Sequence, residues 1–256
     1  MKRREEFLEI VEKAIDAELP GADARPGSLA AALRHAVGSG GKRVRPLIAL
    51  ASAVAAGGRA EDAAMPAAAI EFLHNYTLVH DDLPSMDGDV ERRGAPTVWK
   101  KFGEANGVLA GDALQALAFA CAAKTPRNAA GVVAALARAA YGVVCGQVED
   151  VEKSGDTPYI YEHKTADLFI AAATMGALAA GADAAAVAAL ERFALNLGLA
   201  FQYEDDILDG DAPCGRDEAA RLAREKTDLA LSALDSLPGD TSPLGELAMS
   251  LLGRKV

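Results

Sequence analysis

Apolar residues recur along most of the chain at the three- and four-residue spacing of amphipathic helices, in segments separated by Gly, Pro and Asp. Ile70, Leu73 and Thr77, for example, fall towards one side of a helix. No Asn-Gly hairpin between alternating apolar residues occurs, and no strand, Gly-rich loop and helix follow one another. The pattern predicts an all-α fold with a single domain over residues 1–256. The predicted helices lie near 3–18, 27–37, 43–56, 61–83, 104–123, 128–150, 158–180, 184–209, 216–236 and 243–253.

The most apolar tract, residues 165–190, is rich in alanine but contains Asp167 and is interrupted by Gly181 and Asp183. A helix that spans a membrane needs about 20 consecutive apolar residues. The interruption therefore predicts two Ala-rich helices that pack closely in a bundle, and no stable membrane insertion.

Composition adds limits on partners and location. The chain is 51% hydrophobic, which is enough for one sizeable core, and its net charge of −11 argues against nucleic acid as a partner. Cys121, Cys145 and Cys214 show no Cys-x-x-Cys spacing, which favours a reducing compartment. No apolar signal segment follows the basic residues at the N-terminus. We therefore expect a cytoplasmic protein.

The stretch LVHDDLPSMDGDVERRG, residues 78–94, places five acidic side chains within eleven residues. Pro84 ends the preceding helix, so Asp81 and Asp82 fall in its last turn, where the helix dipole disfavours anions by about 0.3–1 kcal/mol each. Asp87 follows from the loop. A solvated acidic loop would suit a chain of this net charge, but three carboxylates at an unfavourable position favour a bound cation.

A second acidic cluster strengthens the interpretation as a cation site. In GLAFQYEDDILDG, Asp205, Asp206 and Asp209 are separated by three and four residues, so two or three of them project from one helix face. Ile207 and Leu208 between them indicate a partly buried setting, where unpaired carboxylates are costly. Neither cluster has the spacing of an EF-hand or the His and Cys ligands of zinc. Such oxygen ligands suit Mg²⁺ that is shared with a diphosphate.

Basic residues near helix ends complement these clusters. The segment GSGGKRVRP offers three glycines for close backbone approach and leads into a helix N-terminus, a combination that binds anions. Any one basic doublet would be an ordinary solvated surface feature, but their occurrence with two aspartate clusters indicates a diphosphate site. The candidate positions are Lys42, Arg43, Arg45, Arg92, Arg93, Lys164 and the neighbouring Thr165. In contrast, Glu149, Asp150 and Glu152 are interpreted as a solvated helix face.

With these motifs in order, the chain resembles the isoprenyl (polyprenyl) diphosphate synthases, and most of all bacterial short-chain members such as farnesyl diphosphate synthases. The similar segments cover most of the chain: GGKRVRP, EFLHNYTLVHDDLPSMDGDVERRGAPT, KFGEANGVLAGDALQALAF, GQVEDVE, HKTADLF and GLAFQYEDDILD. The resemblance implies the all-α isoprenoid synthase fold, a helical bundle around a deep central cavity, and a homodimer. It also implies a Mg²⁺-dependent prenyltransferase that condenses isopentenyl diphosphate with an allylic diphosphate through an allylic carbocation.

The resemblance implies roles for individual residues as well. Three Mg²⁺ ions would hold the allylic diphosphate between two aspartate motifs, which consist of Asp81, Asp82, Asp87, Asp205, Asp206 and Asp209. The diphosphate of isopentenyl diphosphate would be bound by Lys42, Arg45, His74 and Arg93. Arg92 and Lys164 would contact the allylic diphosphate, and Thr165 and Gln202 would line the reacting centre. These last four are the expected catalytic residues.

Product length is predicted from the helix that ends at Asp81, along which the growing chain should run. One helical turn rises about 5.4 Å, so Tyr76 and Thr77 would lie beneath the chain. The bulky Tyr76 would form a floor that stops elongation early, unless it is simply a core residue. We expect farnesyl diphosphate, with geranyl and geranylgeranyl diphosphate as the neighbouring alternatives.

The chain departs from the family pattern after Asp209, where a segment with phosphate-contacting lysines usually follows, and at Glu204, a position that is often neutral or basic. Either residues are missing from the sequence as given, or a natural truncation impairs closure over the substrate. The absence of the phosphate-contacting lysines mildly favours a catalytically silent regulatory subunit, whereas the presence of the aspartates in both motifs argues against one.

Two other enzyme classes are alternatives. An HD-type phosphohydrolase would use His80 and Asp81 but would need more than the four histidines present. A terpene cyclase would not need the GGKRVRP anchor.

Overall fold

The computed structural model describes residues 2–252 and confirms the all-α architecture. A 3₁₀ turn spans Ala60–Ala63, and a π-helical stretch, called the π-segment below, spans Tyr161–Ala166. Two short strands, β1 (Glu91–Arg92) and β2 (Ala95–Pro96), form an antiparallel hairpin. The α-helices are α1 (Lys2–Glu18), α2 (Gly27–Gly38), α3 (Val44–Ala55), α4 (Ala64–Asp81), α5 (Val98–Phe102), α6 (Glu104–Ala123), α7 (Ala129–Val151), α8 (Thr157–Ile160), α9 (Asp167–Ala180), α10 (Ala184–Asp209), α11 (Arg216–Ser232) and α12 (Ser242–Leu251).

The core is built largely from small side chains, so the helices approach one another closely. The consecutive alanines 67–69 of α4 and 171–173 of α9 are all buried. Gly176 of α9 marks a close approach to α3, because a Cβ at this position would lie 2.1 Å from the carbonyl oxygen of Ala49. Packing of this density tolerates little added volume. The helices that carry the predicted site are therefore held in a fixed arrangement.

Of the two helices that carry aspartate clusters, α10 ends at its predicted residue, and α4 ends two residues before the predicted residue 83. α4 ends at Asp81, with Asp82 as its C-cap residue. α10 ends at Asp209, and Gly210 caps it in the left-handed conformation, with φ of +79°. The two clusters therefore lie at the negative ends of helix dipoles, where carboxylates are disfavoured unless positive charge is near.

The Ala-rich tract 165–190 is divided between two helices, as predicted. α9 ends at Ala180, and Gly181 caps it with φ of +83°. Asp183 caps the N-terminus of α10, because its carboxylate accepts a hydrogen bond from the backbone N–H of Ala186. By length and composition alone, α6, α7 and α10 could cross a membrane. The expectation of no stable membrane insertion stays a prediction.

Several local features differ from the predicted elements. The π-segment divides the predicted helix 158–180, and the 3₁₀ turn opens the predicted helix 61–83. The β1–β2 hairpin and α5 are absent from the prediction. In the hairpin turn, Arg93 and Gly94 both have positive φ, +55° and +75°, as a two-residue turn between twisted strands requires. Residue 253, the predicted end of the last helix, lies outside the described residues.

Candidate active site

A cavity of about 660 Å³ lies among α4, α10, the π-segment and the loop before α3. One part of its wall is basic and consists of Lys42, Arg45, His74 and Arg93. Another part includes Thr165, Gln202 and Asp205. The structure therefore brings predicted site residues from distant parts of the chain to one cavity.

The loop before α3 depends on its glycines and on Arg43. Gly40 and Gly41 have φ of +91° and +143°, which side chains rarely adopt. The guanidinium of Arg93 donates to the carbonyl oxygen of Gly40, and a Cβ on Gly41 would lie 2.8 Å from the same guanidinium. Arg43 is buried and forms an ion pair with the buried Glu71, at 2.7 Å. Arg43 is therefore committed to a protein carboxylate, and it fixes the loop that carries the predicted anchors.

Arg45 and His74 form the centre of the basic wall, where Nη1 of Arg45 lies 3.3 Å from Nε2 of His74. Burial lowers the pKa of Arg45 to about 10, against the opposing effects of Glu71 and Asp205. Burial, together with the charge of Arg45, lowers the pKa of His74 well below its usual value. At neutral pH the arginine is charged and the imidazole is neutral. Nε of Arg45 and Nδ1 of His74 are buried without a hydrogen-bond partner within residues 2–252, so the pair suits an anionic ligand.

The first aspartate cluster is assembled by the loop after α4. The backbone N–H of Asp87 donates to the carbonyl oxygen of Asp81, at 2.9 Å, which brings the two residues together. Burial raises the pKa of Asp81 to about 6, with Lys164 lowering it and Asp87 raising it further. Asp82 is buried, and its carboxylate accepts a hydrogen bond from Nε of Arg92 at 2.7 Å. The predicted aspartates and basic residues of this motif thus lie together.

Trp99, the sole tryptophan of the sequence, borders this cluster. Its indole N–H donates to the carbonyl oxygen of Asp89 at 2.7 Å, and the hydroxyl of Thr97 donates to the same oxygen at 2.8 Å. The carboxylate of Asp89 pairs with Arg92 at 3.1 Å. These bonds join the start of α5 to the loop that carries the acidic residues.

The second aspartate cluster occupies the last turn of α10. Asp205 lines the cavity, and Asp209 is exposed at the helix end. Asp206 is buried, and both of its carboxylate oxygens accept hydrogen bonds: Oδ1 from Nε2 of Gln202 at 2.8 Å, and Oδ2 from the hydroxyl of Tyr161. Burial and the neighbouring carboxylate of Asp206 raise the pKa of Tyr161, so this phenol stays a hydrogen-bond donor.

The π-segment presents Lys164 and Thr165 between α7 and α10. The ammonium of Lys164 forms an ion pair with Asp150 of α7, and the hydroxyl of Thr165 donates to Oε1 of Gln202 at 2.6 Å. Gly146 of α7 permits this approach, because a Cβ there would lie 2.4 Å from the backbone nitrogen of Lys164. A side chain at that position would displace the π-segment.

A second cavity, of about 430 Å³, extends along α4 from Asp81 and is bounded on another side by valines of α7. Tyr76 and Thr77 both line it. Tyr76 is half-buried, and its ring packs edge-on against His80 with 4.9 Å between the ring centroids. The residues predicted to lie beneath a growing chain therefore line an apolar cavity that begins at the first aspartate cluster.

A family model described as polyprenyl synthetase matches residues 26–218, a range that includes the basic loop, both aspartate clusters and the π-segment. This chain belongs to the polyprenyl synthetase family. It is accordingly a prenyltransferase of isoprenoid synthesis, with the isoprenoid synthase fold.

Relatives within the polyprenyl synthetases make products of different length. The chain is 42% identical to a farnesyl diphosphate synthase of Geobacillus stearothermophilus, over 80% of this chain and 75% of the relative. It is 41% identical to a geranylgeranyl diphosphate synthase of Cyanophora paradoxa, over 80% of this chain and 72% of the relative. A polyprenyl synthase of Caulobacter crescentus, solved in complex with calcium and isoprenyl diphosphate, superimposes with a TM-score of 0.87. That structure is 29% identical, and the match covers 100% of this chain and 97% of the other.

Polyprenyl synthetases use divalent metal ions, and the donor set in this chain fits such ions. The two clusters offer carboxylate oxygens, which hard cations prefer. Within residues 2–252, no three His, Cys, Asp or Glu side chains converge as a ready metal site. An ion such as Mg²⁺ completes its coordination with water and with phosphate oxygens of a substrate. The carboxylates therefore fit a complex of metal and diphosphate better than a metal ion alone.

Two residues that contact the site were not among the predicted site residues. Asp150, predicted to belong to a solvated helix face, is exposed but also pairs with Lys164. Tyr161 binds Asp206, although the two residues are 45 positions apart. Neither contact follows from helical spacing, because each joins different helices. Glu204, where the resemblance predicts a departure from the family pattern, is buried in α10.

Proposed function

We propose that the chain condenses isopentenyl diphosphate with an allylic diphosphate, head to tail, and that its product is farnesyl diphosphate. The observation that carries the proposal is the basic wall of the 660 Å³ cavity, where Nε of Arg45 and Nδ1 of His74 are buried without partners in residues 2–252. Hydrogen bonds to ionised phosphate are short and strong. A diphosphate is therefore the ligand that this wall suits best.

The basic wall binds the diphosphate of isopentenyl diphosphate. Its contacts come from Lys42, Arg45, His74 and Arg93. Because His74 is neutral, it donates from Nδ1 without adding a further positive charge beside Arg45. The ion pair of Arg43 with Glu71 keeps the Gly-rich loop in place before substrate arrives.

The allylic diphosphate lies between the aspartate clusters, beside Arg92 and Lys164. Three Mg²⁺ ions are proposed there, and when bound they withdraw charge from the leaving diphosphate. The carboxylates that would hold them are Asp81, Asp82, Asp87, Asp205, Asp206 and Asp209. Thr165 and Gln202 line the reacting centre, and the released diphosphate removes the last proton, so no protein base is required. Apolar walls exclude water from the allylic cation.

Product length is set by the 430 Å³ cavity along α4. Tyr76 narrows this cavity and favours a fifteen-carbon product over longer ones. Geranyl and geranylgeranyl diphosphate are the alternatives, and the relatives include synthases of the twenty-carbon product.

The active form in this proposal is a homodimer. Large apolar side chains are exposed on α6 and α7, namely Val108, Leu109, Tyr141, Val144, Val148 and Val151. Exposed apolar side chains on two helices that contact each other indicate a surface covered by a partner. Val144, Val148 and Val151 also line the 430 Å³ cavity, so a second copy on this surface would help to close it.

The proposal places the enzyme in the cytoplasm, without stable membrane insertion and without nucleic acid. The net charge of −11 opposes binding to nucleic acid, and the cysteines Cys121, Cys145 and Cys214 are all free.

Two competing functions predict different behaviour. An HD-type phosphohydrolase would gather histidines around a metal, yet each histidine here has its own protein partner. His80, for example, contacts the carbonyl oxygen of Val108 at 3.0 Å. A catalytically silent subunit would form no product alone and would change the output of an active family member.

Incubation with isopentenyl diphosphate, Mg²⁺ and each of dimethylallyl, geranyl and farnesyl diphosphate, followed by chromatography, tests the proposal. The first two allylic substrates should be consumed to give farnesyl diphosphate, and chelation of Mg²⁺ should abolish the reaction. Absence of condensation with all three would refute the proposal, and a dominant twenty-carbon product would correct its chain length.

A further inference from the structure

The π-segment is joined to α10 by three connected side-chain hydrogen bonds. Thr165 donates to Oε1 of Gln202 at 2.6 Å, and Nε2 of Gln202 donates to Oδ1 of Asp206 at 2.8 Å. The hydroxyl of Tyr161 donates to the other oxygen of the same carboxylate. Tyr161 and Thr165 stand at opposite ends of one six-residue segment, with Lys164 between them. Both ends of the segment are therefore tied to a single turn of α10.

Tyr161 makes this connection from outside the cavity. It is 8% exposed and is not among the residues that line the 660 Å³ cavity. Its ring packs edge-on against Tyr203, with 5.4 Å between the centroids. Packing alone would be satisfied by phenylalanine, whereas Asp206 is 7% exposed and needs donors for both oxygens.

We propose that Tyr161 is a positioning residue for the condensation. Its hydroxyl fixes the Asp206 carboxylate, and through Asp206 it holds Gln202 and Thr165 in place beside Lys164. Hydrogen bonds to metal-ligating carboxylates orient them and tune metal binding. The inference rests on the proposed function for its kinetic consequences, but the network itself can be tested without turnover.

Tyr161→Phe tests the role, and Tyr203→Phe is its matched control, because each removes one hydroxyl from the same ring pair. Calorimetry with Mg²⁺ and inorganic pyrophosphate should show roughly tenfold weaker binding for Tyr161→Phe and less than twofold change for Tyr203→Phe. Unchanged binding in Tyr161→Phe, or an equal loss in both variants, would refute the role. This readout stands even if the chain condenses no isoprenoid substrate, so the two proposals fail separately.

Steady-state kinetics provide the second measurement. Tyr161→Phe should lower kcat roughly tenfold and leave KM for isopentenyl diphosphate within twofold, because the basic wall is untouched. Asp206→Asn and the double variant Tyr161→Phe/Asp206→Asn should have similar kcat values, since Tyr161 acts through Asp206. Tyr161→Phe is compared in two backgrounds, the wild type and Asp206→Asn. If it lowers kcat by the same factor in both, the Tyr161 hydroxyl does not act through Asp206 and the proposal is wrong.

Discussion

Arg45 is charged at neutral pH and half-buried, and its buried Nε has no hydrogen-bond partner within residues 2–252. Its guanidinium carbon lies over the face of the Phe169 ring, 4.9 Å from the ring centroid. Removing a charge from water is costly unless it is paired and hydrogen-bonded. Arg45 is therefore maintained at the expense of stability, which is expected of a side chain selected for binding.

Arg45→Met should raise KM for isopentenyl diphosphate roughly 10- to 100-fold, because charged hydrogen bonds contribute about 1.5–3 kcal/mol. The free protein should be as stable as the wild type or slightly more stable, since a desolvated charge is removed. Arg43→Met is the matched contrast. It leaves the buried Glu71 carboxylate without its ion-pair partner, and it should destabilise the fold by about 3–5 kcal/mol. Thermal melts and kinetics of both variants check this, and equal destabilisation by both would contradict it.

Tyr76→Ala should lengthen the product. The truncation opens the 430 Å³ cavity along α4, so chains of twenty carbons or more should replace farnesyl diphosphate in product chromatography. Thr77→Ala, which removes little volume from the same wall, should shift the product less. If Tyr76→Ala leaves chain length unchanged, Tyr76 is only a packing residue.

At the scale of elements, regular helices were predictable and irregular ones were not. The predicted ranges 104–123 and 184–209 coincide with α6 and α10, because long periodic segments with clear end signals carry most of the information. The two-residue strands are too short to show a pattern. The π-segment depends on bonds to α10 and on the absence of a side chain at Gly146, and helical periodicity encodes neither.

The same contrast applies to the site. The positions of the aspartates at helix ends and of the basic residues beside glycines could be predicted from the sequence, because Pro84 and these glycines mark the ends of helices. Their partners Asp150 and Tyr161 could not, because tertiary packing alone brings them to Lys164 and Asp206. Which acidic residue supports the site is decided by the three-dimensional arrangement of α7, α10 and the π-segment.

Gly146→Ala tests the coupling between α7 and the π-segment. The added Cβ would lie 2.4 Å from the backbone nitrogen of Lys164, so the segment must move, at a cost of about 1–3 kcal/mol, and kcat should fall. Gly245→Ala in α12 is the control. Its Cβ would meet Leu231 at an ordinary 3.9 Å, and alanine should stabilise the helix by about 0.5–1 kcal/mol. Chemical denaturation and kinetics distinguish the outcomes, and full activity in Gly146→Ala would contradict the coupling.

For the whole molecule, the exposed apolar surface of α6 and α7 leads to a prediction about assembly. Leu109→Lys places a charge on this surface and should convert a dimer into a monomer, as measured by size-exclusion chromatography with light scattering. Met249→Lys on α12 is the matched control, because both side chains are 55% exposed. The control should remain dimeric. A monomeric wild type would refute the homodimer, and a Leu109→Lys variant that stays dimeric would place the contact elsewhere.

The indole of Trp99 offers a label-free optical reporter of substrate loading. It is hydrogen-bonded to the backbone of Asp89, whose carboxylate shares Arg92 with Asp82. Since the sequence contains one tryptophan, emission excited at long ultraviolet wavelengths comes from this position alone. Mg²⁺ with pyrophosphate should shift that emission, and Asp82→Asn should weaken the shift. A stopped-flow instrument could then follow how fast the first aspartate cluster fills, before any carbon–carbon bond forms.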